Sequence, residues 1–197
     1  AEVYAFSTFF TAIVVWLALL WSQKADEQGN ERYILIISYM IGLATGLHLL
    51  NLLTIPFVAL LIYFRKFKFE WTSFGILIAL TGLVFFIIHN VIIKGMPKIA
   101  DAIGISLTGL LIISIFAGMV WAVLNHKKLT SIILTSMVLI LIGYSTYALI
   151  FIRSNQDPGI DENDPETVEA FISYLEREQY GDVGMFPRRF KGIKPMH

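Results

Sequence analysis

Residues 34–64 read ILIISYMIGLATGLHLLNLLTIPFVALLIYF, an apolar run whose length fits neither one membrane crossing nor two. As one helix, its 31 residues would extend about 46 Å, well beyond a ~30 Å hydrocarbon layer, whereas two full crossings need about 40 residues. Gly42, Gly46, His48, Asn51 and Pro56 crowd its middle. Glycine weakens a helix and proline removes a backbone donor, so the run is expected to break between about Gly46 and Pro56. The result is either two short membrane helices or a re-entrant hairpin whose apex faces protein or a water-filled cavity.

On either side of this run the reading is simpler. Tyr4 to Trp21, Thr72 to Ile93, Ile103 to Leu124 and Ser131 to Ile152 are apolar stretches bounded by charge, each long enough to cross a bilayer. With 56% hydrophobic residues and a mean hydropathy of +0.70, the chain lies outside the soluble range. The expected fold is all-α: a polytopic membrane helix bundle of about six membrane segments, counting the broken 34–64 hairpin. Cysteine is absent, so disulfides and thiolate metal sites are excluded.

Charge placement supports the hairpin. It puts loops 22–33, 65–71 and 125–130 on one side, gathering Lys24, Arg32, Arg65, Lys66, Lys68, Lys127 and Lys128, against Lys94 and Lys98 opposite. Such a bias marks the cytoplasmic side. The His48 apex, the Lys94 to Asp101 loop and everything beyond Arg153 then lie outside the cytoplasm. Trp21, Tyr33, Tyr63 and Trp71 fall at the cytoplasmic boundary, where an aromatic belt is expected.

Two domains follow: a helix bundle over 1–152 and a polar, extracytoplasmic tail over 153–197. From 153 to 182 the tail holds two basic residues against nine acidic ones, and from 183 onward four basic residues and no acid. Asp164-Pro165-Glu166 followed by Val168, Phe171, Ile172 and Leu175 predicts an N-capped amphipathic helix ending near Tyr180, with Gly181 as its cap. The acidic run Asp157, Asp161, Glu162, Asp164 lacks the spacing of a calcium loop and reads as a solvated surface.

Ionisable groups inside a membrane are functional candidates by default, and the membrane segments hold only His48 and His89. Either histidine has a plainer reading, bonding a backbone carbonyl at a helix end. His48 stands apart because the adjacent break frees backbone groups and Asn51 adds a second polar side chain, where an anionic ligand would be held. Glu2, at the mouth of the first span, reads either as a base or substrate-orienting carboxylate or as a helix-start acid favoured by the dipole. Arg153 reads either as a lipid-phosphate ligand, with Ser154 and Asn155 as further donors, or as a snorkelling side chain. No P-loop, nucleophile elbow, zinc-protease or dinucleotide motif occurs.

Together EVYAFSTFFTA (2–12), GLATGLHLLNLLTIP (42–56), KGMPKIA (94–100) and IRSNQDPGIDENDPETVEAFISYLEREQYGD (152–182) resemble a family of bacterial multi-spanning proteins similar to eukaryotic protein O-mannosyltransferases. The resemblance runs along essentially the whole chain and is most specific in the tail. It implies a membrane glycosyltransferase that moves a sugar, mannose by analogy, from a polyprenyl-phosphate carrier to Ser or Thr of an exported protein, in the bacterial inner membrane. On that resemblance Glu2 is the catalytic candidate, and His48, Asn51, Arg153 and Ser154 the substrate and lipid-phosphate candidates. Expected partners are membrane lipids, the lipid-linked sugar and the exported acceptor, with no nucleic acid. Some such enzymes use a divalent cation, but the sequence supplies no ligand set for a metal and no cofactor. These enzymes usually carry an essential acid in a first extracytoplasmic loop that would precede Glu2. The chain is accordingly expected to be a fragment, not catalytically complete alone.

Two other classes stay open. The broken segment is also how transporters and flippases build midplane sites, although no Asp, Glu, Lys or Arg lies within the predicted spans for ion coupling. A non-catalytic membrane scaffold would use the tail helix to dock a partner. The topology itself is testable: a cysteine introduced at Asn163 should react with an impermeant reagent in cells stripped of any outer barrier. Protection there, with labelling near Lys127, would invert the assignment.

Overall fold

A computed structural model describes residues 2–46, 48–159 and 164–176, and these are all helix, turn and loop. Among the described residues four helical stretches are long and apolar enough to cross a membrane: Tyr4–Gln23, Trp71–Ile93, Ser106–Leu124 and Lys128–Ser154. They coincide with the four simple spans of the sequence. The first helix, α1 (Glu2–Gln23), buries Val14, Leu17, Ala18 and Trp21, a stripe at helical spacing, against the two helices of the 34–64 run.

That run is indeed interrupted. Helix α2 (Glu31–Thr45) ends at Gly46, a 3-10 segment covers Leu49–Leu53, and α3 (Thr54–Lys66) returns. Pro56 falls in the first turn of α3, where its missing N–H has no intrahelical acceptor to lose. The break thus precedes the proline. At 15 and 13 residues, α2 and α3 extend only about 22 and 20 Å, shorter than a full crossing.

Close backbone approach fixes where α2 stops. A Cβ on Gly42 would lie 2.5 Å from the Ile140 carbonyl oxygen, and one on Gly143 would lie 2.5 Å from the Leu43 nitrogen. One turn further on, a Cβ on Gly46 would meet Thr146 Oγ1 at 2.8 Å. Small residues let α2 and α7 (Lys128–Tyr144) touch along their backbones, the packing that replaces hydrophobic burial inside a membrane. The Tyr147 hydroxyl then donates to the Thr45 carbonyl at 2.7 Å, satisfying an orphan acceptor at the end of α2.

Both ends of the hairpin do lie at one end of the bundle. Arg65 and Lys66, closing α3, pair with Asp26 between α1 and α2, and Lys66 Nζ donates to the Ala25 carbonyl at 2.7 Å. Lys128, opening α7, pairs with Glu31, opening α2. A hydrogen bond from Arg65, and then its charge, holds Asp26 below the usual carboxylate range; a hydrogen bond from Lys128 does the same for Glu31. Depressed carboxyls stabilise the fold above their unfolded pKa of about 4, and that contribution fades as pH falls through the lowered values. These pairs are exposed, so they serve register more than stability.

Within the Ser131 to Ile152 span, α7 passes to α8 (Tyr147–Ser154) at Ser145-Thr146 through i to i+3 hydrogen bonds such as Ala148 N–H to the Ser145 carbonyl at 3.0 Å. Three local expectations need correcting. The Lys94 to Asp101 loop is a short amphipathic helix, α5 (Gly95–Ile103), between α4 (Trp71–Phe86) and α6 (Ile105–Leu124). Trp21 and Tyr63 are buried rather than forming an interfacial belt. The Tyr63 hydroxyl accepts the Glu70 N–H at 3.1 Å and bonds Ser73 Oγ at 2.7 Å, tying α3 to the start of α4. Finally, the tail helix α9 (Val168–Glu176) is capped by Thr167, whose Oγ1 accepts the Ala170 N–H at 3.1 Å, in place of Asp164. Its predicted end at Tyr180-Gly181 lies outside the described residues. Helix α9 packs on α5 through its Phe171 and Leu175 face, with the Phe171 ring 5.9 Å from that of Phe151.

Gly143→Ala should separate α2 from α7 and lower stability by about 1–3 kcal/mol. Gly75→Ala and Gly82→Ala, where a Cβ meets nothing within 4 Å, should be neutral or stabilising by about 0.5–1 kcal/mol. Thermal unfolding in detergent distinguishes the two sets.

Candidate functional site

A cluster of polar groups lies where the 34–64 run breaks. Helix α1 presents Tyr4, Ser7 and Thr11 on one face, at i, i+3 and i+7. Asn51 Oδ1 accepts both hydroxyls, from Ser7 at 3.0 Å and Thr11 at 2.9 Å. Its Nδ2 donates to the Ala44 carbonyl at 3.1 Å, an acceptor left over at the end of α2. The Asn51 carbonyl accepts from Thr54 Oγ1 at 2.7 Å. One amide therefore joins α1, the end of α2 and the start of α3.

His48 sits beside this hub with extended backbone, φ −157° and ψ 125°. Its N–H donates to the Ala44 carbonyl at 3.0 Å and its carbonyl accepts the Asn51 N–H at 3.1 Å. Nδ1 accepts the Leu50 N–H at 3.1 Å, so the side chain caps the 3-10 segment. The ring is half-buried and stands 5.7 Å from the exposed Tyr4 ring.

The candidates from the sequence thus divide. His48 and Asn51 are brought together. Asn51 is only 3% exposed and its amide is engaged within the protein, so its geometry is that of a positioning residue. Arg153 is exposed at the end of α8, about 9 Å of helical rise beyond Tyr147. Among the described residues no hydrogen bond or ion pair joins it to His48 or Asn51. Ser154 is buried at 2% exposure, and Asn155 donates to the Glu166 carbonyl at 3.3 Å, binding the tail to the bundle. Glu2 opens α1, two residues before Tyr4, but its side chain lies outside the described ones.

His89 lies apart from this hub in the chain and packs within its own helix. It stacks on Phe85 with rings 6.0 Å apart, inside a π-helical stretch, Ile87–Ile93, at the end of α4. That wider turn leaves the Ile93 carbonyl for the Tyr144 hydroxyl, which donates to it at 2.9 Å. Among the described residues no three His, Cys, Asp or Glu side chains gather as a metal site.

The sequence reading passed over Ser7, Thr11 and Tyr147. Two hydroxyls four residues apart on an otherwise apolar helix were the available signal, since each needs a partner in a membrane. Their partner, though, is set by a contact more than 40 positions away along the chain.

These features define an all-α integral membrane protein with a polar cluster built at a helix break. Residues 1–71 match the family model described as Protein O-mannosyl-transferase TMEM260 N-terminal domain. The match takes in α1, the break and α3, and it relates that part of the chain to protein O-mannosyltransferases; it ends before the tail. No curated protein and no solved structure matches the chain.

Asn51→Ala should cost about 1–3 kcal/mol, because two hydroxyls and a carbonyl lose their partner together. Ser7→Ala alone should cost about 0.6 kcal/mol, the ordinary value for one interhelical hydrogen bond in a membrane. A double-mutant cycle on unfolding in detergent measures both.

Proposed function

We propose that this chain is the donor-binding part of a membrane O-mannosyltransferase with six membrane segments, working outside the cytoplasm of a bacterial inner membrane. The observation that carries the reading is a coincidence: the stretch related to O-mannosyltransferases, residues 1–71, contains the whole His48, Asn51, Ser7 and Thr11 cluster. Mannose would arrive on a polyprenyl phosphate, with its phosphate at the break and its chain in the surrounding lipid. A Ser or Thr oxygen of an exported protein attacks the anomeric carbon, the bond from that carbon to the phosphate oxygen breaks, and polyprenyl phosphate leaves. Glu2, or an acid from elsewhere in the intact protein, takes the hydroxyl proton. His48 and Arg153 offset the charge developing on the phosphate.

The test is transfer of mannose from polyprenyl-phosphate mannose to an exported acceptor by the intact protein. Arg153→Ala should raise the donor KM, by the equivalent of roughly 1.5–3 kcal/mol for one charge-assisted contact. Glu2→Gln should mainly lower kcat, because the amide keeps the shape and cannot take the proton. Normal transfer by both variants would reject these roles.

A further inference from the structure

The histidine at the break is held in one tautomer by its own fold. Capping a helical turn through a side-chain acceptor is ordinarily the work of Ser, Thr, Asp or Asn. Here His48 does it, with Nδ1 accepting the Leu50 N–H at 3.1 Å. A ring nitrogen that accepts a hydrogen bond carries no proton, so the proton of the neutral ring resides on Nε2. Any short polar side chain would satisfy Leu50. Only a histidine does so and also leaves an N–H on the far corner of a rigid ring.

The surroundings fix that corner in place. The His48 main chain is held on both sides, by Ala44 and by Asn51, and Tyr4 lies along one side of the ring. Among the described residues Nε2 has no partner, whereas the neighbouring Asn51 amide is already engaged by Ser7, Thr11 and Ala44. Among the described residues this Nε2–H is therefore a preorganised donor that the cluster can offer a ligand.

We infer that His48 serves this site as a fixed Nε2–H donor to an anionic phosphoryl oxygen, and does not act as the base that removes a hydroxyl proton. This rests on the reading that the break receives polyprenyl phosphate. A base needs an unprotonated nitrogen within reach of the hydroxyl, and the only such nitrogen is turned into Leu50. A donor aimed in advance at developing negative charge, in surroundings of low dielectric, needs no reorganisation when the leaving group departs.

The experiment uses intact protein with 15N-labelled histidine in lipid nanodiscs, and reads the two-bond proton to nitrogen correlations of the ring. His48 is assigned by the signal lost in His48→Asn. The expected pattern is the Nε2–H tautomer, with a resonance that moves on addition of polyprenyl phosphate and stays still with the uncharged polyprenol. An Nδ1–H ring, or an equal response to both lipids, would overturn the inference. His48→Asn supplies a second arm, because its side-chain oxygen can keep the cap on Leu50 while its amide falls short of the Nε2 position. Wild-type thermal stability with polyprenyl phosphate binding weakened roughly tenfold or more is expected; unchanged binding would overturn the donor role. An Nε2–H ring that responds to polyprenyl phosphate in a protein lacking mannosyl transfer would support the donor and sink the transfer reading, so the two fail separately.

Discussion

Gly42 and Gly143 bring the backbones of α2 and α7 into contact, and the placement of the polar cluster depends on that approach. Water is absent from the hydrocarbon layer, so helices gain little from hiding apolar side chains from one another and must gain from close packing and hydrogen bonds. With the two glycines in register, Thr146 falls over Gly46 and Tyr147 reaches the Thr45 carbonyl. The end of α2 is thereby satisfied before the chain turns. Larger residues at either glycine would move the break away from the hydroxyls of α1 that complete it.

The break itself solves a hydrogen-bonding problem. Ending a helix within a membrane leaves carbonyls and N–H groups that cost several kcal/mol each if unpaired. Ala44, Thr45, Leu50 and the Asn51 main chain are all served, by Asn51 and His48, Tyr147, His48, and Thr54 with His48 respectively. Among the described residues no buried side-chain nitrogen or oxygen lacks a partner. A site so fully bonded is rigid. What it offers a ligand is then whatever the internal bonds leave over, which directs attention to the outer edge of His48.

Much of the fold was legible in the sequence because length and apolarity decide it. The four long spans and the interruption of residues 34–64 follow from comparing run lengths with a bilayer, and the clustering of Lys and Arg placed both hairpin ends at one end of the bundle, where Asp26 and Glu31 now pair with them. The finer geometry was not legible. Nothing local in Ser145-Thr146 marks the junction of α7 and α8, which is set by packing against Gly46, and burial of Tyr63 depends on a loop that folds back over it. At the site, intramembrane polarity singled out His48 and Asn51, which the fold brings together, while their division into a positioning amide and an outward ring required the partners from α1. Asp164 lost the cap to Thr167 because only Thr167 stands where its oxygen meets the Ala170 N–H.

Photo-crosslinking locates the phosphate most directly, and its position at the break is the claim on which the functional account stands. A polyprenyl phosphate carrying a photoreactive group next to the phosphate, activated in membranes containing the intact protein, should mark peptides from the start of α1 and from residues 44–53. Adducts confined to α4 and α6, with the break unmarked, would contradict the account.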